Sequence, residues 1–303
     1  MTDKLPQQDS YVWGMNRALE FIQANLGEAI TLEDIAKEAC LSKFHFHRIF
    51  KMVTKESLGQ FIQRLRVEKA ANTLCNGSAA SLTEIALHCG YASSGYFSRA
   101  FNSHFGMSAS AFRGLSPSEK HQFLQERMQG LPLVKSPLQT VDRLDVCMEE
   151  IPELHVAYVR KCYMDLQEEP VIIHRMFDYI TAWGQSMGLM AESTRVLGII
   201  YDNPYQTALS NYQYDACITV PVSTAAEGMV GTKTVAGGRY AILKLRNVKP
   251  SKLEGSIYTL LLEWLPKSGC RIDDRPILEF YYGPPSESGF TMDFCIPVTT
   301  DRI

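Results

Sequence analysis

The 303-residue sequence has no apolar run of about 18 residues, the length a membrane-crossing helix needs. Its first ten residues, M-T-D-K-L-P-Q-Q-D-S, lack the apolar stretch of a secretory signal, so a cytoplasmic protein with no membrane partner is expected. The eight cysteines include no C-x-x-C pair and sit mostly in apolar runs, which favours reduced core thiols over disulfides. No Ser-His-Asp order, metal-ligand spacing or glycine-rich phosphate loop stands out. No catalytic residue, no metal and no cofactor is therefore expected. Charge of one sign is also missing overall, since the net charge is only −3.

What is present is unevenly distributed. Residues 42–113 hold 9 Lys/Arg against 3 Asp/Glu, whereas residues 146–303 hold 14 against 19. A basic segment joined to an acidic one points to an anionic partner at one end only. The length and the 46% hydrophobic content favour two domains.

The basic segment is a repeat. SKFHFHRIFKMVTKESLGQF (42–61) overlays SSGYFSRAFNSHFGMSASAF (93–112) with a constant shift of 51, aligning Phe46 with Phe97, Arg48 with Arg99 and Phe50 with Phe101. Upstream, Leu32-x-x-Ile35-Ala36 matches Leu82-x-x-Ile85-Ala86 with a shift of 50, so one residue is gained in the turn between. Thr31 and Ser81 precede acids three residues on, a capping-box pattern. Each copy reads as helix–turn–helix, about 31–54 and 81–105. The amphipathic stretch from Ser57 to Cys75, ending at Asn76-Gly77, reads as a long helix between them.

His45 and His47 invite a metal reading. On a helix, however, residues i and i+2 lie about 200° apart around the axis, and the Phe46/Ile49/Phe50/Val53 spacing is helical. His47, Arg48 and Lys51 then project away from the core stripe, with Phe44 one turn before them. Arginine can bond guanine bidentately, and an exposed aromatic can meet a thymine methyl.

The segment Gly90-Tyr91-x-x-x-x-Tyr96-Phe97-Ser98-Arg99-Ala100-Phe101-x-x-x-Phe105-Gly106-x-Ser108 resembles the AraC/XylS transcription regulators, over about residues 10–115. The resemblance implies an all-α domain, 8–115, of two rigidly joined helix-turn-helix modules. These would enter successive major-groove segments of an asymmetric double-stranded DNA site, about 34 Å apart. By position, Phe44, His47, Arg48, Ser94, Gly95, Ser98 and Arg99 would face base edges. Lys43, Lys51, Ser93 and Asn102 would touch phosphates. Ser94-Gly95 departs from the pattern by offering little to bases. RNA polymerase is the further partner the resemblance implies.

Residues 116–145, with Pro132, Pro137, Gly130 and a short helical stretch from Glu119 to Met128, read as linker. Beyond them a second repeat appears. LGIIYDNP (197–204) overlays LEFYYGPP (278–285), and Trp183 and Gly188 overlay Trp264 and Gly269, all with a shift of 81. YDACITVPV resembles MDFCIPV, and HVAYVR resembles RYAILK. Each copy reads strand, long helix (170–188; 251–265), strand, strand, with extra strands near 146–151 and 232–236. The expected fold class is two-domain. An all-α double helix-turn-helix domain precedes an α+β domain, 146–303, of two pseudo-twofold strand-helix-strand-strand repeats.

The mismatch between the copies is informative. Glu279 stands where the first copy has Gly198, inside the apolar strand ILEFYY. Alternation puts Glu279 and Tyr281 on one face and Leu278, Phe280 and Tyr282 on the other. A carboxylate among aromatics is costly unless paired, and it could select a cationic ligand. A solvated face, or a pair with Arg239, accounts for it equally well.

Gly238-x-Tyr240-Ala241, Trp264-Leu265-Pro266-x-Ser268-Gly269, Arg275-Pro276-x-x-Glu279-x-Tyr281 and Ile296-Pro297-Val298 resemble the GyrI-like effector-binding domain. That resemblance implies a cleft for a small, cationic or amphipathic effector, with Glu279 as a ligand contact. Tyr281, Trp183, Tyr201 and Trp264 are the candidate cavity aromatics. The expected function is a sequence-specific transcription regulator that senses a small molecule. A GyrI-like hydrolase fused to a DNA-binding domain, with Glu279 as base and Tyr281 as positioner, is the alternative.

Overall fold

The computed structural model describes residues 7–116, 119, 120, 122–124, 126, 144–161, 169–201, 213–283 and 289–299. Cys162 and residues 127–143 of the expected linker lie outside them. Two compact units divide the chain, Met1–Leu124 and Gln125–Ile303.

Seven helices build the described part of the first unit: α1 (Gln7–Ala24), α2 (Leu32–Glu38), α3 (Lys43–Thr54), α4 (Leu58–Cys75), α5 (Leu82–His88), α6 (Ser94–Phe105) and α7 (Ala109–Gly114). Polar caps set where they begin. The amide of Asp34 donates to Thr31 Oγ1 (3.2 Å) while the Thr31 amide donates to Asp34 Oδ2 (3.1 Å), which caps α2 reciprocally. Ser81 with Glu84 does the same for α5, and Ser57 with Gln60 for α4. Ser42 and Ser93 cap α3 and α6 through single bonds to the amides of His45 and Tyr96.

Both modules turn through left-handed residues at equivalent places. Cys40 (φ +54°) matches Gly90 (φ +81°), and Lys55 (φ +59°) matches Gly106 (φ +75°). Glycine is needed at 90 for space as well as for φ. A Cβ there would lie 2.6 Å from the Leu26 carbonyl oxygen and 2.8 Å from the Arg66 guanidinium carbon. Arg66 itself pins the turn after α1 to α4, donating to the carbonyls of Leu26 (2.9 Å) and Glu28 (2.6 Å). Each module has an aromatic core, with Phe46, Phe50 and Phe61 in ring contact in the first and Phe97, Phe101 and Phe112 in the second, all fully buried.

The expected linker needs correction at its start. The Glu119 amide donates to Ser116 Oγ (3.3 Å), capping a helical turn whose residues up to Leu124 belong to the first unit. Lys120 Nζ donates to the Leu74 carbonyl (3.1 Å), Phe123 meets Phe112 with centroids 5.8 Å apart, and Leu124 is buried. Burial of these apolar groups keeps the segment with α4 and α7 instead of leaving it free.

The second unit is an antiparallel sheet with helices. Its strands are β1 (Val146–Ile151), β2 (Leu154–Lys161), β3 (Val196–Ile200), β4 (Tyr214–Thr219), β5 (Gly231–Val235), β6 (Gly238–Val248), β7 (Arg271–Ile272), β8 (Ile277–Tyr281) and β9 (Phe290–Thr299). Their order is β1-β6-β9-β8-β3-β4-β2-β5, with β7 on β9. Helix α8 (Glu169–Ser186) follows β2. Helix α9 (Pro250–Thr259) follows β6 and continues through a π-type turn, Leu260–Trp264, into Leu265–Lys267.

The two copies meet at the middle of the sheet. β3 pairs with β8 so that Val196 faces Tyr281, Leu197 faces Phe280 and Gly198 faces Glu279. Of the residues equivalent by the shift of 81, Gly198 and Glu279 alone sit directly opposite one another among these pairs, as the central pair about which the two antiparallel strands are related. Two glutamates there would set like charges directly across a strand pair. One face of the sheet carries Ala216, Ile218, Leu243, Phe294 and Ile296, packed with Ile180 of α8 and Leu260 and Leu261 beyond α9. The other carries Tyr158, Leu197, Ile199, Tyr240, Leu278 and Phe280.

Candidate functional site

In the first unit, α3 and α6 bury one stripe and expose the rest. Phe46, Ile49 and Phe50 face inward, as do Phe97, Ala100 and Phe101. Outward lie Phe44, 90% exposed, and His47, Arg48 and Lys51. On α6 the outward residues are Ser94, Gly95, Ser98, Arg99 and Asn102, with Ser93 exposed as its cap. His45 separates from His47 as helical geometry requires: it is half-buried against Tyr11, with ring centroids 5.1 Å apart. Lys43, expected at phosphate, is ion-paired with Glu33. Ser98 Oγ donates to the Ser94 carbonyl (2.8 Å), which ties that hydroxyl to its own helix.

In the second unit, Glu279 is central. Tyr281 and Tyr214 each donate a hydroxyl hydrogen to its Oε2, at 2.7 and 2.9 Å, and the two hydroxyls lie 3.2 Å apart. Phe177 of α8 meets both tyrosine rings edge-on, with centroids 5.1 Å from Tyr281 and 6.3 Å from Tyr214. Burial pushes the Glu279 pKa above its ordinary value, against the lowering effect of the two tyrosine bonds. The same burial, with the glutamate charge beside them, holds Tyr214 and Tyr281 well above the usual phenol range. Gly198 makes the arrangement possible. A Cβ there would overlap the Tyr214 hydroxyl and come within 2.9 Å of Glu279 Oε2. A carboxylate held by two tyrosine hydroxyls in an aromatic frame suits a ligand that brings positive charge or a hydrogen-bond donor.

Residues 144–299, more than half of the chain, match the family model of the GyrI-like small molecule binding domain. The chain belongs to that family. Ahead of the GyrI-like domain, residues 35–114 match a helix-turn-helix domain of the AraC type. ArgR of Pseudomonas aeruginosa, an HTH-type transcriptional regulator, is 32% identical over 93 residues, 31% of this chain and 28% of that protein. The "Probable transcription factor PqrA" of Proteus vulgaris is 33% identical over 101 residues, 33% of this chain and 82% of that protein. The chain spans about a third of the length of the first curated relatives it matches. Among solved structures, the EcmrR C-terminal domain is similar at 15% identity and a TM-score of 0.42, covering 52% of this chain and 98% of that one.

Within the GyrI-like domain, the structure brings together only part of the residue set expected from sequence. Glu279 and Tyr281 touch. Neither a solvated face nor a pair with Arg239 accounts for the glutamate, since its bonds are to tyrosines. Trp183 lies on the same sheet face but donates its Nε1 hydrogen to Glu227 Oε2 (3.2 Å). Trp264 lines a different cleft of about 410 Å3, with Leu144, Met148, Glu263, Lys267 and Cys270. Tyr201 is a correction: its hydroxyl donates to Asp215 Oδ2 (2.8 Å) on the opposite face.

Tyr214 and Phe177 were not anticipated. For Tyr214 a signal existed, because its counterpart in the second copy is Met292, a mismatch like that of Gly198 and Glu279. The buried cluster around Asp215 was missed as well. Arg160 grips Asp215 with two bonds of 2.7 Å, and Lys233 also donates to it while lying 4.2 Å from the Tyr158 ring centroid.

Proposed function

We propose that the chain is a ligand-responsive transcription regulator. The helix-turn-helix unit binds an asymmetric DNA site through two successive major-groove segments, and the GyrI-like domain takes a small cationic or amphipathic effector at Glu279. The carrying observation is that α3 and α6, capped and packed alike, both present an exposed arginine at the equivalent position, Arg48 and Arg99. Phe44, His47, Ser94, Gly95 and Ser98 complete the base-facing set. Lys51, Ser93 and Asn102 stand at the flanks where phosphates would pass, and Lys43 would join them on exchanging Glu33 for a phosphate. RNA polymerase is the partner through which such binding would act.

Fluorescence anisotropy on duplexes selected from a random pool tests the DNA half. Arg48→Ala and Arg99→Ala should each weaken the selected site by about five- to hundredfold while sparing scrambled DNA. Equal affinities for both DNAs in wild type would sink it. Calorimetry with a planar aromatic cation and its neutral isostere tests the effector half: the cation should be preferred, and Glu279→Gln should erase the preference. An effector shifts transcription only by binding the DNA-competent state differently. The hydrolase alternative draws no support from the relatives named above, which are regulators.

A further inference from the structure

The two outward helices differ in what surrounds their arginines. In α3 the residue three before Arg48 is His45, half-buried with its ring tilted against that of Tyr11. Its counterpart in α6 is Tyr96, which is 63% exposed and lies under Arg99, with the guanidinium carbon 4.7 Å from the ring centroid. Arg99 folds back toward Gly95, where a Cβ would meet its Nη1 at 4.0 Å, an ordinary van der Waals contact. Tyr96 and Arg99 also line a groove of about 700 Å3 together with Ile62 and Arg66 of α4. An aromatic this exposed fills no core. Its visible work is to hold one guanidinium.

We propose that Tyr96 sets the specificity of the second module by positioning Arg99. The ring fixes the plane of the guanidinium before DNA arrives, so that α6 reads a single G·C pair through one pre-organised bidentate arginine. This inference rests on the DNA-binding reading above. A free arginine must surrender rotamer freedom to bond guanine O6 and N7 together, and a stacked one has surrendered part of it already. Ser94 and Gly95 contribute little to base edges, and Ser98 is bonded to its own helix. The second half-site therefore depends on the Tyr96–Arg99 pair.

The test is selection of random duplexes by the full chain, followed by sequencing, for wild type, Arg48→Ala, Arg99→Ala, Tyr96→Phe and Tyr96→Leu. Arg99→Ala should abolish a guanine preference at one position by about tenfold or more. Tyr96→Leu should lower the preference at that same position by about two- to fivefold. It should leave intact the position that Arg48→Ala removes, and also the affinity for scrambled DNA. Tyr96→Phe, which keeps the ring, should match wild type. The proposal is overturned if Tyr96→Leu leaves the Arg99 position unchanged, if Phe behaves like Leu, or if all positions weaken together. Absence of any enriched sequence with wild type overturns the DNA-binding reading, and this inference with it.

Discussion

Glu279 accepts hydrogen bonds from Tyr214 and Tyr281, yet its pKa stands above the ordinary value near 4.5 because desolvation outweighs both bonds. Between that value and its raised one, the native state holds the proton more tightly than the unfolded chain does. Stability from this group is thus fully present below the ordinary value and is lost as pH rises through the raised one. Glu279→Gln removes that loss. The variant should unfold at a higher temperature than wild type near neutral pH, with the difference closing below about pH 4.5, in thermal melts across a pH series. If the variant is less stable at every pH, the glutamate contributes through its bonds and not through its charge. Asp215 should behave in the opposite way. Its removal takes from Arg160 and Lys233 the buried carboxylate that both bond, so Asp215→Ala should cost about 3–5 kcal/mol in urea unfolding. The carboxylate of Glu279 was legible in the sequence because it breaks a repeat. Tyr201 misled by its type, although strand alternation from Gly198 already places it on the far face, as the repeat places Tyr282.

At the scale of elements, capping residues and left-handed turns explain why the helices fall where the sequence pattern puts them. Thr31, Ser42, Ser57, Ser81 and Ser93 all bond the amide three residues on. These contacts are local, so they can be read without knowing the fold. The turn at 90 is different. Its φ is a local demand, but the crowding against Leu26 and Arg66 comes from elements distant in sequence. Gly90→Ala should therefore destabilise the first unit by about 1–3 kcal/mol, read as a lower denaturation midpoint. Cys40→Gly, at the equivalent and exposed position, should be neutral or stabilising by about 1 kcal/mol. A loss at both sites would show that the turn tolerates neither change and that crowding is not the cause.

Over the whole molecule, charge is segregated by unit: residues 42–113 carry the excess of Lys and Arg, and residues 146–303 the excess of acids. If the basic face meets DNA, Lys51→Ala should weaken binding to selected and scrambled duplexes about equally and reduce the salt dependence by about one counterion. An unchanged salt slope in anisotropy titrations at several ionic strengths would remove Lys51 from the phosphate set.

Helix and strand types, both internal repeats and the odd glutamate follow from near-neighbour patterning: caps, 3.6- and 2-residue periods, and self-similarity at fixed shifts. The packing of Lys120, Phe123 and Leu124 did not follow, because it depends on whether α4 and α7 offer a surface for them. Nor did the company Glu279 keeps. Tyr214 reaches it only because β4, β3 and β8 lie side by side about Gly198, and Phe177 meets the two tyrosines only because α8 lies across that face; both depend on contacts between residues far apart in the chain.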